Sequence, residues 1–222
     1  MNIIEYQDLD MLAMDVATVL ADEIKALLHT QDRVTIALPG GSTPAPVYQN
    51  LCGVHMDWDR VDVVLTDERW VPEDDPRSNT AMLRQNLLTD QAAAARYHPL
   101  YAKGDQAEVL TKIRQDLGPI LPIDILVLGM GADMHTASMF PNSPQLDETL
   151  ELTAPIVLPV SVPDQPDRVT LTMETLKSAG ACHILISGAD KRAAITQAHK
   201  LADPRQAPIA PFTSNAQIHW TP

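Results

Sequence analysis

Between Asp8 and Thr30 apolar side chains recur at Leu12, Val16, Leu20, Ile24 and Leu27. Spacing of three and four residues places such side chains on one stripe of a helix, so the pattern predicts an amphipathic helix with one face on a core. This helix is expected to open the fold. The period then changes: RVTIAL (33 to 38) is a short apolar run ended by Pro39, Gly40 and Gly41, as in a buried strand entering a tight loop. A helix from about Thr43 to Leu51 follows, then the strand VDVVLT (61 to 66), a helix carrying Met82, Leu83, Leu87 and Leu88, a helix over 105 to 117, and the strand IDILVLG (123 to 129). Farther on come an extended stretch at 154 to 160, a strand-like RVTLT (168 to 172), a helix near 173 to 179, the strand HILIS (183 to 187), a helix over 190 to 201 and a strand-like AQIHW (216 to 220). Strands that are apolar throughout and separated by helices need cover on both faces, which predicts an α/β fold with a mainly parallel sheet.

Composition adds boundaries to this picture. At 222 residues and 45% hydrophobic content, the chain suits one domain spanning 1–222 with a continuous core. Eighteen prolines cluster at 155 to 166 and 204 to 211, where ordered loops crossing the surface are expected. The two cysteines, Cys52 and Cys182, have no metal-type spacing, so neither zinc nor a disulfide is expected. No apolar stretch reaches 18 residues, and MNIIEYQDLDM has no basic segment followed by an apolar one, so a cytoplasmic location is expected.

Charge sharpens the choice of partners. Against 16 basic side chains stand 29 acidic ones, a formal net charge of -13, which disfavours nucleic acid and anionic membrane. A phosphorylated small molecule stays open only where a few Arg or Lys side chains gather in one pocket.

In a parallel α/β sheet that pocket lies beyond the carboxyl ends of the strands. Three loops sit there: PGGSTP (39 to 44), TDERW (66 to 70) and GMGADMHTASMFP (129 to 141). Gly40, Gly41, Ser42 and Thr43 offer amides and hydroxyls that suit a phosphate, or else an ordinary strand-to-helix turn with a hydroxyl cap. The Lys-Ser/Thr pair of a nucleotide-triphosphate loop is missing, and Met134 stands where a dinucleotide fingerprint needs its third glycine. His135 is a lone histidine in the third loop, beside Asp133, and histidine titrates near neutral pH. Ser138 lacks a nucleophile elbow, and no HExxH-like spacing supports a metal. Asp67, Glu68 and Arg69 read by themselves as an ion-pair cluster at the rim of the sheet, with pocket residues as the alternative.

In combination, LPGGSTP, LTDERWVP with RSNTAMLRQNLL, LVLGMGADMHTASMFP, PDRVTLTMETLKSA, SGADKRAAI and QIHW resemble the 6-phosphogluconolactonase family, in the family's order along the whole chain. The resemblance implies a three-layer α/β/α fold of the sugar-phosphate isomerase and deaminase type, and hydrolysis of 6-phospho-D-glucono-1,5-lactone without cofactor or metal. His135 would be the general base, with Asp133 as its catalytic companion. Gly41, Ser42, Thr43, Arg168 and Lys191 would hold the phosphate. Asp67 and Arg69 fall with the substrate-binding residues, and Arg77, Ser78 and Asn79 match a segment that borders the family's pocket. The alternatives are a glucosamine-6-phosphate deaminase-like isomerase and a catalytically silent sugar-phosphate-binding protein. One position departs from the pattern: Met134 replaces the family's usual glycine. A chain that tolerates methionine there is expected to hold it at negative φ.

Overall fold

The computed structural model describes residues 1–222. Its elements are β1 (Asn2–Glu5), α1 (Leu9–Leu28), β2 (Val34–Leu38), α2 (Ala45–Leu51), β3 (Val61–Leu65), β4 (Asp67–Arg69), α3 (Asn79–Asn86), β5 (Arg96–His98), α4 (Gln106–Leu117), β6 (Ile125–Gly129), α5 (Leu146–Leu150), β7 (Val157–Val160), β8 (Arg168–Leu171), α6 (Met173–Lys177), β9 (Ala181–Ser187), α7 (Ala189–Leu201) and β10 (Gln217–Thr221).

Local chemistry accounts for the helix starts. The Asp8 carboxylate accepts from the Met11 amide at 2.8 Å, and Asp105 accepts from the amides of Ala107 and Glu108, so free N–H groups of the first turns of α1 and α4 are satisfied. Leu12, Val16, Leu20 and Ile24 of α1 are buried as their spacing requires, and Leu28 completes the stripe. Leu27 is only partly covered.

Seven parallel strands form the main sheet in the order β1-β10-β9-β6-β2-β3-β5. Every residue of β2 and β3 is buried, because helices cover the sheet and the strands are mostly apolar; the exceptions are satisfied, Thr35 by the Ile120 carbonyl and Asp62 by Arg33 and His98. From β2 the chain moves outward through β3 to β5, then crosses back to β6 and continues outward through β9 to β10. The direction therefore reverses between β2 and β6, and a crevice opens beyond their carboxyl ends. No helix is long and apolar enough to cross a membrane.

A second, three-stranded antiparallel sheet has the order β4-β8-β7. Its register sets Asp67 opposite Thr170 and Arg69 opposite Arg168, which brings two segments a hundred residues apart to one wall of the crevice.

Three expectations need correction. The chain opens on a strand, β1, and not on the helix; four residues with no apolar alternation give no local signal, and the strand exists because β10 from the other end of the chain offers an edge. Within the proline-rich stretch 155 to 166 lies β7, with Val157, Leu158 and Val160 buried. Its Pro159 is tolerated because β7 is an edge strand. The rest of that stretch, 161 to 166, is the surface loop expected; the second cluster is also divided, with Arg205 and Gln206 exposed but Ala207, Pro208, Ile209 and Ala210 buried, and the Ile209 amide donates to the Met134 carbonyl at 3.3 Å. Apolar side chains interleaved with the prolines drive that segment into the core.

Candidate active site

A cavity of about 270 Å³ occupies the crevice. It is lined by the loops after β2 and β6 and by β4, a strand where a loop at 66 to 70 was expected, with Asn79 from the start of α3, and it is closed by Arg168, Leu185 and Lys191.

The loop after β2 is shaped by contacts that demand glycine. A side chain at Gly40 would collide with Asn79, and Gly41 has φ +105, a conformation that residues with a Cβ rarely adopt. Buried Tyr48 donates its hydroxyl to the Pro39 carbonyl at 2.8 Å and fixes the loop from behind. Neither the amides of Gly41, Ser42 and Thr43 nor the hydroxyls of Ser42 and Thr43 donate to any protein group. Five donors without a protein acceptor thus belong to residues that line one end of the cavity.

Strand alternation divides the Asp67–Arg69 triplet. Asp67 and Arg69 line the cavity, while Glu68 points the other way and is 1% exposed. The Glu68 carboxylate accepts from the amides of Arg69 (2.6 Å), Asn79 (2.8 Å) and Thr80 (2.7 Å) and from the hydroxyls of Thr80 (2.7 Å) and Ser78 (3.2 Å). No cation pairs with it; the free amides at the start of α3 take that role, as a helix N-terminus does for any anion. Neither reading of the triplet anticipated this anchor. The signal available was the alternation itself, which marks the middle residue as facing away from its neighbours.

Asn79, held in this way, donates its side-chain amide to the Asp67 carbonyl at 2.9 Å and lines the cavity. Ser78 is the buried N-cap of α3 and does not reach the cavity. Arg77 lies outside as well: its exposed guanidinium is clamped by Asp75 at 2.8 and 2.6 Å. Its carbonyl still matters, because Arg69 donates to it at 2.5 Å. The Arg77 guanidinium holds the Asp75 carboxyl down at about 2.

Asp67 receives the Ser138 hydroxyl at 2.5 Å and stands 3.6 Å from Arg168. Arg168 is mostly buried, stacks over Phe140 at 5.3 Å and donates to Gln165 at 2.7 Å. Burial pulls its pKa below the usual arginine value, with Asp67 opposing. The Nε groups of Arg69 and Arg168 are buried donors without an acceptor. Lys191, in the first turn of α7, has no carboxylate within salt-bridge distance and lines the opposite side. Positive charge therefore collects here although the chain as a whole carries -13.

His135 lines the cavity, and its Nδ1 lies 2.5 Å from Asp133, which itself stands behind the ring and outside the cavity. A carboxylate accepts only, so the proton sits on Nδ1 and the Nε2 lone pair is left free. The ring leans on Phe140, with centroids 4.4 Å apart. A side chain at Gly131 would collide with the His135 ring, so the glycine that resembled part of a dinucleotide fingerprint serves to admit the histidine.

The expectation for Met134 is overturned: its φ is +66, and Ala137 is also left-handed at φ 49. Closure of the loop imposes this. The Met134 amide donates to the Gly131 carbonyl and the Gly131 amide to the His135 carbonyl, both at 3.0 Å, so the chain must reverse within four residues. A left-handed methionine costs roughly 1–2 kcal/mol.

Comparison with known proteins agrees with this architecture. The family description "Glucosamine-6-phosphate isomerases/6-phosphogluconolactonase" matches residues 7–220. The 6-phosphogluconolactonase of Rhizobium meliloti is 37% identical over 219 residues, covering 93% of this chain and 94% of that protein. That of Pseudomonas putida is 36% identical, with 98% and 92% covered. A crystal structure of a 6-phosphogluconolactonase from Shewanella baltica superposes with a TM-score of 0.94 at 26% identity, covering 100% of this chain and 97% of that one. A monomeric glucosamine-6-phosphate deaminase shares the fold at a TM-score of 0.79 and 18% identity, with 100% and 96% covered. With the crevice between β2 and β6 built from the same loops that carry the sequence resemblance, the chain belongs to the glucosamine-6-phosphate isomerase/6-phosphogluconolactonase family.

Proposed function

We propose that the cavity hydrolyses 6-phospho-D-glucono-1,5-lactone to 6-phosphogluconate, with His135 as the base. The observation that carries this reading is the His135–Asp133 pair, whose free Nε2 belongs to a ring lining the same cavity as five unpaired donors and Lys191. The phosphate takes the Gly41–Thr43 loop and Lys191, with Arg168 contributing from the opposite wall. Held there, the lactone carbonyl is oriented by binding energy remote from the reacting carbon.

Nε2 removes a proton from water as the water oxygen bonds to the carbonyl carbon, and Asp133 steadies the imidazolium that forms. Collapse of the tetrahedral intermediate breaks the bond to the ring oxygen, which leaves with the proton from Nε2. The unpaired Nε donors of Arg69 and Arg168 favour negative charge in the cavity throughout. We read residues 1–222 as one domain on the strength of a continuous core of 52 buried residues, and place its work in the cytoplasm, where such sugar phosphates occur.

Freshly generated lactone, followed by the appearance of 6-phosphogluconate with background hydrolysis subtracted, tests the proposal. Acceleration over background is expected. Release of ammonia from glucosamine 6-phosphate with no lactone hydrolysis would assign the site to the isomerase branch instead.

A further inference from the structure

The terminal QIHW segment lies outside the cavity, yet it takes hold of the residue from which α7 starts. Gly188 links β9 to α7 and has φ +92. Both of its backbone polar groups are bound by β10: its amide donates to the Thr221 carbonyl at 2.9 Å, and its carbonyl accepts from the Trp220 indole N–H at 2.9 Å. Arg192, in the first turn of α7, lies over the same indole with its guanidinium carbon 4.8 Å from the ring, and it pairs with Glu5 of β1 at 2.5 Å.

Lys191 immediately precedes Arg192. Successive helical residues are about 100° apart around the axis, so a contact that fixes the direction of Arg192 fixes that of Lys191 too. One side chain, Trp220, therefore touches both the residue from which α7 starts, whose carbonyl also accepts the Arg192 amide at 3.2 Å, and the residue next to Lys191. Lys191 needs this help because it has no ion-pair partner of its own among the protein's carboxylates.

We propose that Trp220 is a positioning residue for substrate phosphate: it acts through Gly188 and Arg192 to hold Lys191 toward the cavity. The proposal rests on the assignment of Lys191 to the phosphate.

Trp220→Phe keeps an aromatic ring for Arg192 and deletes the indole N–H. Its KM for 6-phosphogluconolactone should rise by roughly 3- to 10-fold, the range expected for one lost neutral hydrogen bond, with kcat within about twofold. Hydrolysis of unphosphorylated gluconolactone should be unchanged, and in a Lys191→Ala background the Trp220→Phe change should add nothing further. Arg192→Ala removes the other contact without touching Trp220, and should shift the same KM in the same direction; it decides the matter where the Trp220 variant does not fold. Additive losses from Trp220→Phe and Lys191→Ala, or equal losses on both lactones, would overturn the proposal while leaving the phosphate assignment standing. A Lys191→Ala variant that handles the two lactones as the wild type does would remove the phosphate assignment itself, and the proposal with it.

Discussion

His135 and His183 each face a carboxylate, Asp133 at 2.5 Å and Glu23 at 2.9 Å, and the two pairs could scarcely be used more differently. The ring of His135 is 29% exposed, keeps Nε2 free and lines the cavity. His183 is fully buried between α1 and the sheet, and both of its nitrogens are engaged: Nε2 by Glu23 and Nδ1 by His219 at 3.2 Å. His219 continues to the Tyr6 hydroxyl at 2.9 Å, which donates to Asp15 at 2.7 Å. Proton transfer to a substrate requires a nitrogen with nothing else to do, and only the first pair has one. Pairing with a carboxylate is thus not a mark of catalysis; the partner of the second nitrogen decides.

The row that runs from Asp15 through Tyr6, His219 and His183 to Glu23 begins and ends on α1 and passes through β10 and β9, so it ties that helix to the sheet.

The largest effect that would break the comparison is on turnover. His135→Ala should lower kcat by at least about a hundredfold, with little change in urea midpoint, since it removes a base and no core packing. Turnover near wild type would place His135 with His183 among the structural histidines.

Next in size is the pH dependence of stability. Burial first, and then the neighbouring His183, lower the His219 pKa from 6.5 to about 4. Between those values the unfolded chain binds a proton that the folded chain refuses, so stability falls as pH drops through this window. The contribution is at most ~3 kcal/mol, from 1.36 kcal/mol per unit. Urea unfolding at several pH values between 4 and 7 should show a steeper loss for the wild type than for His219→Gln. Parallel slopes would mean that His219 titrates normally.

The smallest expected effect sharpens the other side of the comparison. Met134→Gly should relieve the left-handed backbone beside His135 at the cost of some packing by a half-buried side chain, for a net gain of up to about 1 kcal/mol. A lower melting temperature in the variant would show that the loop is not strained.

Much of this fold was legible because it is written in local periods. The stripe of α1, the buried runs of β2, β3 and β6, and the glycine loop at 39 to 44 each depend on neighbours within a few residues, and each stands where the pattern predicts. His135, Arg168 and Lys191 were reachable by resemblance, and they converge on one cavity. What failed to show locally was decided by partners far along the chain. β1 exists because β10 offers an edge, Glu68 is an anchor because α3 begins beside it, and Arg77 leaves the site because Asp75 claims it. Met134 is left-handed because Gly131 and His135 close on each other, although its side chain alone argued for the opposite sign of φ. Hydrophobic period is a property of consecutive residues and survives reading one letter at a time. Hydrogen-bond partners and loop closure are set only when distant segments meet, and the tertiary structure alone brings them together.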